Sequence, residues 1–160
     1  MTSNYSNCTS CTHGCCINFD ILKPPVITLS ELNNLCEVHG SNLPDFKKWP
    51  DCFLYSPVIE GKSCPFLLET GCKIFDYRPI DCRLFPFCIE MRDKEIWLTF
   101  QPSFCEGGHL ESWIESFIKE NTANAIELAK TYSEQDLADY AALGDFLEPD
   151  KDPVIWVCKI

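Results

Sequence analysis

From Thr28 onward, apolar residues fall at Leu29, Leu32, Leu35, Cys36 and Val38, the spacing of one helical face. Thr28-Leu29-Ser30-Glu31 has the form of a capping box, in which each end's side chain accepts from the other's backbone N–H. A helix is therefore expected to open there and to end at Gly40. Lys23-Pro24-Pro25-Val26, just before it, reads as extended, because proline fixes its own φ and restricts its predecessor. Residues 41–63 lose the period and are punctuated by Pro44, Pro50 and Pro57. Within them Leu43-Pro44-Asp45-Phe46 is expected to start a short helix, and Phe53-Leu54-Tyr55 to form a short strand. Ile89-Glu90-Met91 and Ile96-Trp97-Leu98-Thr99-Phe100 flank Arg92-Asp93-Lys94-Glu95 and predict a β-hairpin. A helical period returns from Ser112 to Lys130, through Trp113, Ile114, Phe117, Ile118, Ala125, Leu128 and Ala129, with Asn121-Thr122 interrupting the stripe. Ser133-x-x-Asp136 predicts another capped helix, running to Leu143 and ended by Gly144. Pro149 to Pro153 turns the chain, and Val154-Ile155-Trp156-Val157 reads as a closing strand.

The cysteines change this picture. There are 12 in 160 residues, and disulfides and metal compete to explain them. The N-terminal residues are polar, with no basic n-region and no apolar h-region, so no signal peptide is expected. No apolar run approaches the roughly 20 residues of a membrane span. A cytoplasmic chain with clustered cysteines points to metal rather than to disulfides. The formal charge of -11 repels phosphate backbones, which argues against a nucleic-acid partner.

The first cluster is Cys8, Cys11, Cys15 and Cys16, spaced C-x2-C-x3-C-C, in a Ser-, Thr-, Asn- and Gly-rich segment with little regular structure of its own. The Cys8/Cys11 turn brings two sulfurs to one point. Cys15 and Cys16 are neighbours and in extended chain point to opposite sides; either they feed two sites or one is not a ligand. The second cluster, Cys64, Cys72, Cys82 and Cys88, has a turn at Thr70-Gly71 and spacings too long for local chelation, so the fold must converge it. Cys64, Cys72 and Cys82, with Cys105 beside Gly107-Gly108, complete eight thiols. Cys88 is the alternative to Cys105. Eight thiolates make two four-sulfur sites, suited to tetrahedral zinc or to 4Fe–4S clusters.

Arg78 and Arg83 flank Cys82 and are candidates to offset a negatively charged cofactor; the competing reading pairs them with Asp76 and Asp81. Phe85-Pro86-Phe87 would wall the site or belong to the core. Cys36 reads as a buried small hydrophobe, and Cys52 as structural. His13 and His109 are each placed to complete a Cys3His zinc site, and His39 sits in a helix's last turn, where it complements the dipole. No phosphate-binding loop, dinucleotide fingerprint or nucleophile elbow is present. The expected class is an irregular α+β domain spanning 1–160, stapled by metal, with a metal core at 8–108 and a helical part at 109–160.

The motifs C-x2-C-x3-C-C, T-x-x-E, C-P-F-L, C-x-I-F and R-P-x-x-C-R-x-F-P-F resemble a cysteine-cluster family of zinc- or iron-chelating domains, which includes the flagellin lysine N-methylases. The resemblance spans residues 8–108. It implies Cys8, Cys11, Cys15, Cys16, Cys64, Cys72, Cys82 and Cys105 as ligands, of iron–sulfur or zinc. The eight thiols, with arginines and aromatics around the middle group, predict a 4Fe–4S protein serving electron transfer or a protein-modification reaction; the alternatives are a structural zinc module, which needs the same thiolates, and, from the resemblance alone, a protein lysine methylase, with a protein or redox partner left open.

Overall fold

The computed structural model describes Cys16 and residues 24–61, 63–102, 111–144 and 154–160. It is an α+β fold of short antiparallel sheets and four helices among the described residues.

Strand β1 (Ile27–Thr28) runs directly into helix α1 (Leu29–His39). The capping box is present: Thr28 Oγ1 accepts from Glu31 N–H at 3.2 Å and Glu31 Oε2 accepts from Thr28 N–H at 2.9 Å. Gly40 closes the helix at φ 56°, in the region that favours glycine. The buried stripe is narrower than the sequence suggests. Leu35 is buried and Leu32 half-buried, whereas Leu29, Cys36 and Val38 are exposed. Cys36 is therefore not the buried hydrophobe expected of it. With 3.6 residues per turn, a residue next to Leu35 lies about a quarter-turn off the contact line.

The short helix expected at Leu43–Phe46 does not form. A 3₁₀ turn (Gly40–Asn42) is followed instead by β2 (Phe46–Lys48), which pairs with β3 (Leu54–Pro57) in the register Phe46↔Pro57, Lys47↔Ser56, Lys48↔Tyr55. Strand β1 covers the other edge of β3. A short isolated helix has a costly nucleus, and here the strand ladder and the Phe46–Phe66 ring contact at 6.3 Å offer more.

Strands β4 (Leu67–Leu68) and β5 (Gly71–Cys72) form a minimal hairpin, Leu67↔Cys72 and Leu68↔Gly71. Its turn is Glu69-Thr70, and Gly71, at φ 116°, takes a backbone conformation that side chains oppose. A 3₁₀ turn (Phe75–Tyr77) then leads through Pro79 into α2 (Ile80–Leu84), a five-residue helix.

The expected hairpin is β6 (Phe87–Arg92) with β7 (Glu95–Phe100). Its loop is tighter than the four residues anticipated. Asp93 and Lys94 alone connect the strands, both at positive φ (53° and 66°), the pairing of a type I′ turn. Strand β8 (Ile155–Lys159) adds to β7, giving the order β6-β7-β8. Helix α3 (Glu111–Ala129) continues through Asn121-Thr122. Asn121 Nδ2 and Thr122 Oγ1 donate back to the carbonyls of Phe117 and Ile118, at 2.8 and 2.6 Å, so these polar residues bond within the helix rather than ending it. Helix α4 (Glu134–Gly144) follows, with Ser133 Oγ accepting from Asp136 N–H at 3.1 Å.

Two apolar clusters result. The larger joins β3, α2, β6, β7, α3 and α4 around Leu54, Leu84, Phe87, Leu98, Phe100 and Ala129. Phe87 and Phe100 meet at 5.3 Å, and Trp113 stacks on Phe117 at 5.0 Å. Phe87 thus belongs to this core. The smaller cluster holds Ile27, Leu35, Cys64, Phe66 and Ile74, with Cys16 and Cys72 packed against it. Among the described residues, no helix is long and apolar enough to cross a membrane.

Candidate metal centre

The smaller cluster is where cysteines from three parts of the chain meet. Cys64 N–H donates to the Cys16 carbonyl at 2.7 Å, which ties the last cysteine of the N-terminal cluster to the middle of the chain. Cys72 arrives on β5, placed by the Gly71 turn, and Cys82 on α2. Cys16, Cys64, Cys72 and Cys82 all line one cavity of about 30 Å³. Pro25, Phe66, Ile74 and Pro79 supply its apolar wall, and Arg78 the one cation among the described residues that line it. Arg78 is held in place by its own strand of chain: Nε donates to the Phe75 carbonyl at 3.0 Å and the guanidinium lies 4.0 Å from the Phe75 ring centre.

The electrostatics follow from that crowding. Cys64 shares a side-chain hydrogen bond with Cys16, which, with burial, pushes its thiol far above the ordinary value. Burial pushes the Cys82 thiol up as well, followed by the nearby charges of Asp81, Cys16 and Cys72; Arg78 alone among the leading causes acts the other way. Both shifts favour the neutral thiols of Cys64 and Cys82, and a bound metal cation would reverse them by favouring the thiolates. Among the described residues no three His, Cys, Asp or Glu side chains stand at metal-holding spacing. The four sulfurs thus share a wall rather than a formed coordination sphere. The donor set fits a soft-ligand metal: four cysteines, an apolar wall and the Arg78 guanidinium.

Helix α2 has no side-chain cap and is too short to hold itself. Its supports come from elsewhere. Glu31 Oε1, the second oxygen of the capping-box carboxylate, accepts from Ile80 N–H at 2.7 Å. Asp81 Oδ2 accepts from Val26 N–H at 2.8 Å, and Asp81 Oδ1 accepts from the Tyr140 hydroxyl of α4. Burial raises both Glu31 and Asp81 from their ordinary carboxylate values, against the pull of these donors.

Of the residues singled out in the sequence, the structure brings together Cys16, Cys64, Cys72, Cys82 and Arg78. Cys8, Cys11, Cys15, Cys105, His13 and His109 lie outside the described residues. Arg83 is exposed and is not part of the cavity wall. Asp81, offered as an arginine partner, is instead engaged by Val26 and Tyr140. Cys88 sits on β6, outside the wall, where burial and the charges of Asp81 and Glu90 push its thiol up. Phe85-Pro86-Phe87 does not line the cavity. His39 closes α1 with its ring edge-on to Tyr77 at 5.7 Å. Cys52 packs against the larger core. Sequence reasoning flagged Glu31 only for its own helix, and missed Asp81 and Tyr140 as supports of α2. Their partners lie 49 to 59 residues away, and no local pattern carries that information.

Four cysteines around one apolar cavity are the donor type of proteins that bind metal through thiolates. The chain belongs to the CxxCxxCC family, described as a putative zinc- or iron-chelating domain, whose model matches residues 7–106. The family's name motif is met with one additional residue, Cys8-x2-Cys11-x3-Cys15-Cys16. No curated protein and no solved structure matches the chain.

Proposed function

We propose that Cys16, Cys64, Cys72 and Cys82 supply four thiolates to one zinc or iron ion, and that this centre staples the N-terminal segment to β5 and α2. The carrying observation is the single cavity that all four share. Its volume, about 30 Å³, exceeds the roughly 10–15 Å³ that a cavity needs to hold one water, so there is room for an ion among the sulfurs. Bound there, the metal would supply folding energy by bridging segments that are otherwise far apart in sequence. Arg78 would offset the excess negative charge of four thiolates. The remaining candidates, Cys8, Cys11, Cys15 and Cys105, would form a second set of four.

A second reading is a 4Fe–4S cluster used in electron transfer or a protein-modification reaction. It is favoured by the apolar wall and adjacent guanidinium, which tune potential and exclude water. Oxygen-free purification separates the two. A colourless protein with stoichiometric zinc, or iron without acid-labile sulfide, supports the single ion. A brown protein with iron and acid-labile sulfide in equal amounts supports the cluster. In either case Cys72→Ser and Cys82→Ser must each lower the metal content by one centre. Unchanged content in both variants removes this ligand assignment.

A further inference from the structure

The family match ends at residue 106, yet a side chain far beyond it reaches the cysteine centre's support. Tyr140 projects from α4, in the part of the chain that follows the matched segment, and donates its hydroxyl to Asp81 Oδ1. Asp81 immediately precedes Cys82. The same carboxylate accepts from Val26 N–H through Oδ2, and Val26 follows Pro25, part of the cavity wall. One carboxylate thus joins α4, the helix bearing Cys82 and the wall segment. Tyr140 is buried and its ring packs 5.8 Å from Tyr132, a geometry that leaves the hydroxyl little choice of direction. Tyr132, by contrast, has a buried hydroxyl with no hydrogen-bond partner among the described residues.

We propose that Tyr140 is a positioning residue for the cysteine centre: through Asp81 it fixes α2, and so the place of the Cys82 sulfur. The inference rests on the metal-centre reading above. Its logic is that of any group held behind a ligand. A five-residue helix cannot fix its own orientation, so the sulfur it carries is only as well placed as the hydrogen bonds at its first turn. Removing such supports typically costs about 10- to 100-fold in metal affinity. The C-terminal helix is then part of the centre rather than an appendage to it.

The experiment uses the full chain, metal-free and oxygen-free, titrated with cobalt(II). Thiolate coordination to cobalt gives a sulfur-to-metal charge-transfer band and ligand-field bands that report geometry. The difference between wild type and Cys82→Ser isolates the signal of this centre. Tyr140→Phe is expected to shift the ligand-field bands of that difference spectrum and to speed cobalt loss to a chelator about tenfold. Tyr132→Phe, which also deletes one buried hydroxyl, is expected to leave both unchanged. Asp81→Asn should shift the bands as Tyr140→Phe does, and the double variant should be no worse than Asp81→Asn alone, because the tyrosine acts through the aspartate. A merely structural role would lower stability in urea without moving the ligand-field bands. Bands and release rates in Tyr140→Phe equal to wild type overturn the inference, as do equal changes in Tyr132→Phe. Should Tyr140→Phe fail to fold, Asp81→Asn decides: unshifted bands overturn the proposal. A Cys82→Ser spectrum identical to wild type overturns the metal-centre reading itself, and this inference with it.

Discussion

Glu31 is the residue at which a local helix signal and a long-range contact can be told apart by magnitude. If its carboxylate served only its own helix, Glu31→Ala would cost what a lost cap costs, about 1 kcal/mol. The structure gives it a second partner. Oε1 accepts from Ile80 N–H at 2.7 Å, and Ile80 is buried. Leaving a buried N–H without an acceptor costs about 1–3 kcal/mol. The two together predict a loss of about 3 kcal/mol, most of it from the far partner. Urea unfolding at neutral pH, followed by far-ultraviolet circular dichroism, measures the difference. A loss of about 1 kcal/mol or less would refute the reasoning, because it would mean that the Ile80 contact contributes nothing. The pH dependence gives an independent check. Burial raises Glu31 above its ordinary value of 4.5, so the folded state binds its proton more tightly than the unfolded chain does. Stability from this group is therefore fully present below 4.5 and declines as pH rises through the raised value. The gap between wild type and Glu31→Ala should narrow over that window, and a gap that widens would contradict the sign.

Phe100 is fully buried between Phe87, Trp113 and Phe117, so Phe100→Ala should cost about 3–5 kcal/mol in the same urea assay. Tyr132→Phe removes a buried hydroxyl without a partner among the described residues, so it should leave stability unchanged or raise it by about 1 kcal/mol; a clear loss would reveal a partner. The thiols of Cys64 and Cys82 are pushed above their ordinary value of 9.0, so the metal-free protein should hold its stability below that pH and lose it as pH rises further. Extraction of bound metal by a chelator should run the other way, becoming harder as pH rises from about 6 to 8, since protons compete with the metal for sulfur.

What could be read from the sequence was what is encoded locally. The Thr28–Glu31 box, the two arms of the β6–β7 hairpin and the apolar period of α3 each involve residues within a few turns of one another. Strand β2 was illegible because Lys47 and Lys48 carry no strand signal; they are held by pairing to Ser56 and Tyr55. Asn121-Thr122 looked like an interruption because polar side chains often leave a helix, and here they bond back into it. For the centre, residue type gave the chemistry but not the grouping. That Cys16 lies beside Cys64 follows from the Cys64 N–H bond to the Cys16 carbonyl, which no spacing rule contains. Nor does spacing separate Cys82 from Cys88; one faces the cavity from α2 and the other sits on β6.

The brevity of α2 bears on how this cysteine pattern can be transplanted. A fragment cut from Cys64 to Cys88 would carry three of the four sulfurs and the whole R-P-x-x-C-R signature. It would lack the acceptor that α1 lends to Ile80 and the phenol that α4 lends to Asp81. Grafted onto a foreign scaffold, the signature would bring the donor atoms without the rigidity that arranges them. A designer would have to import those distant contacts, or replace them, before the graft could select one metal over another.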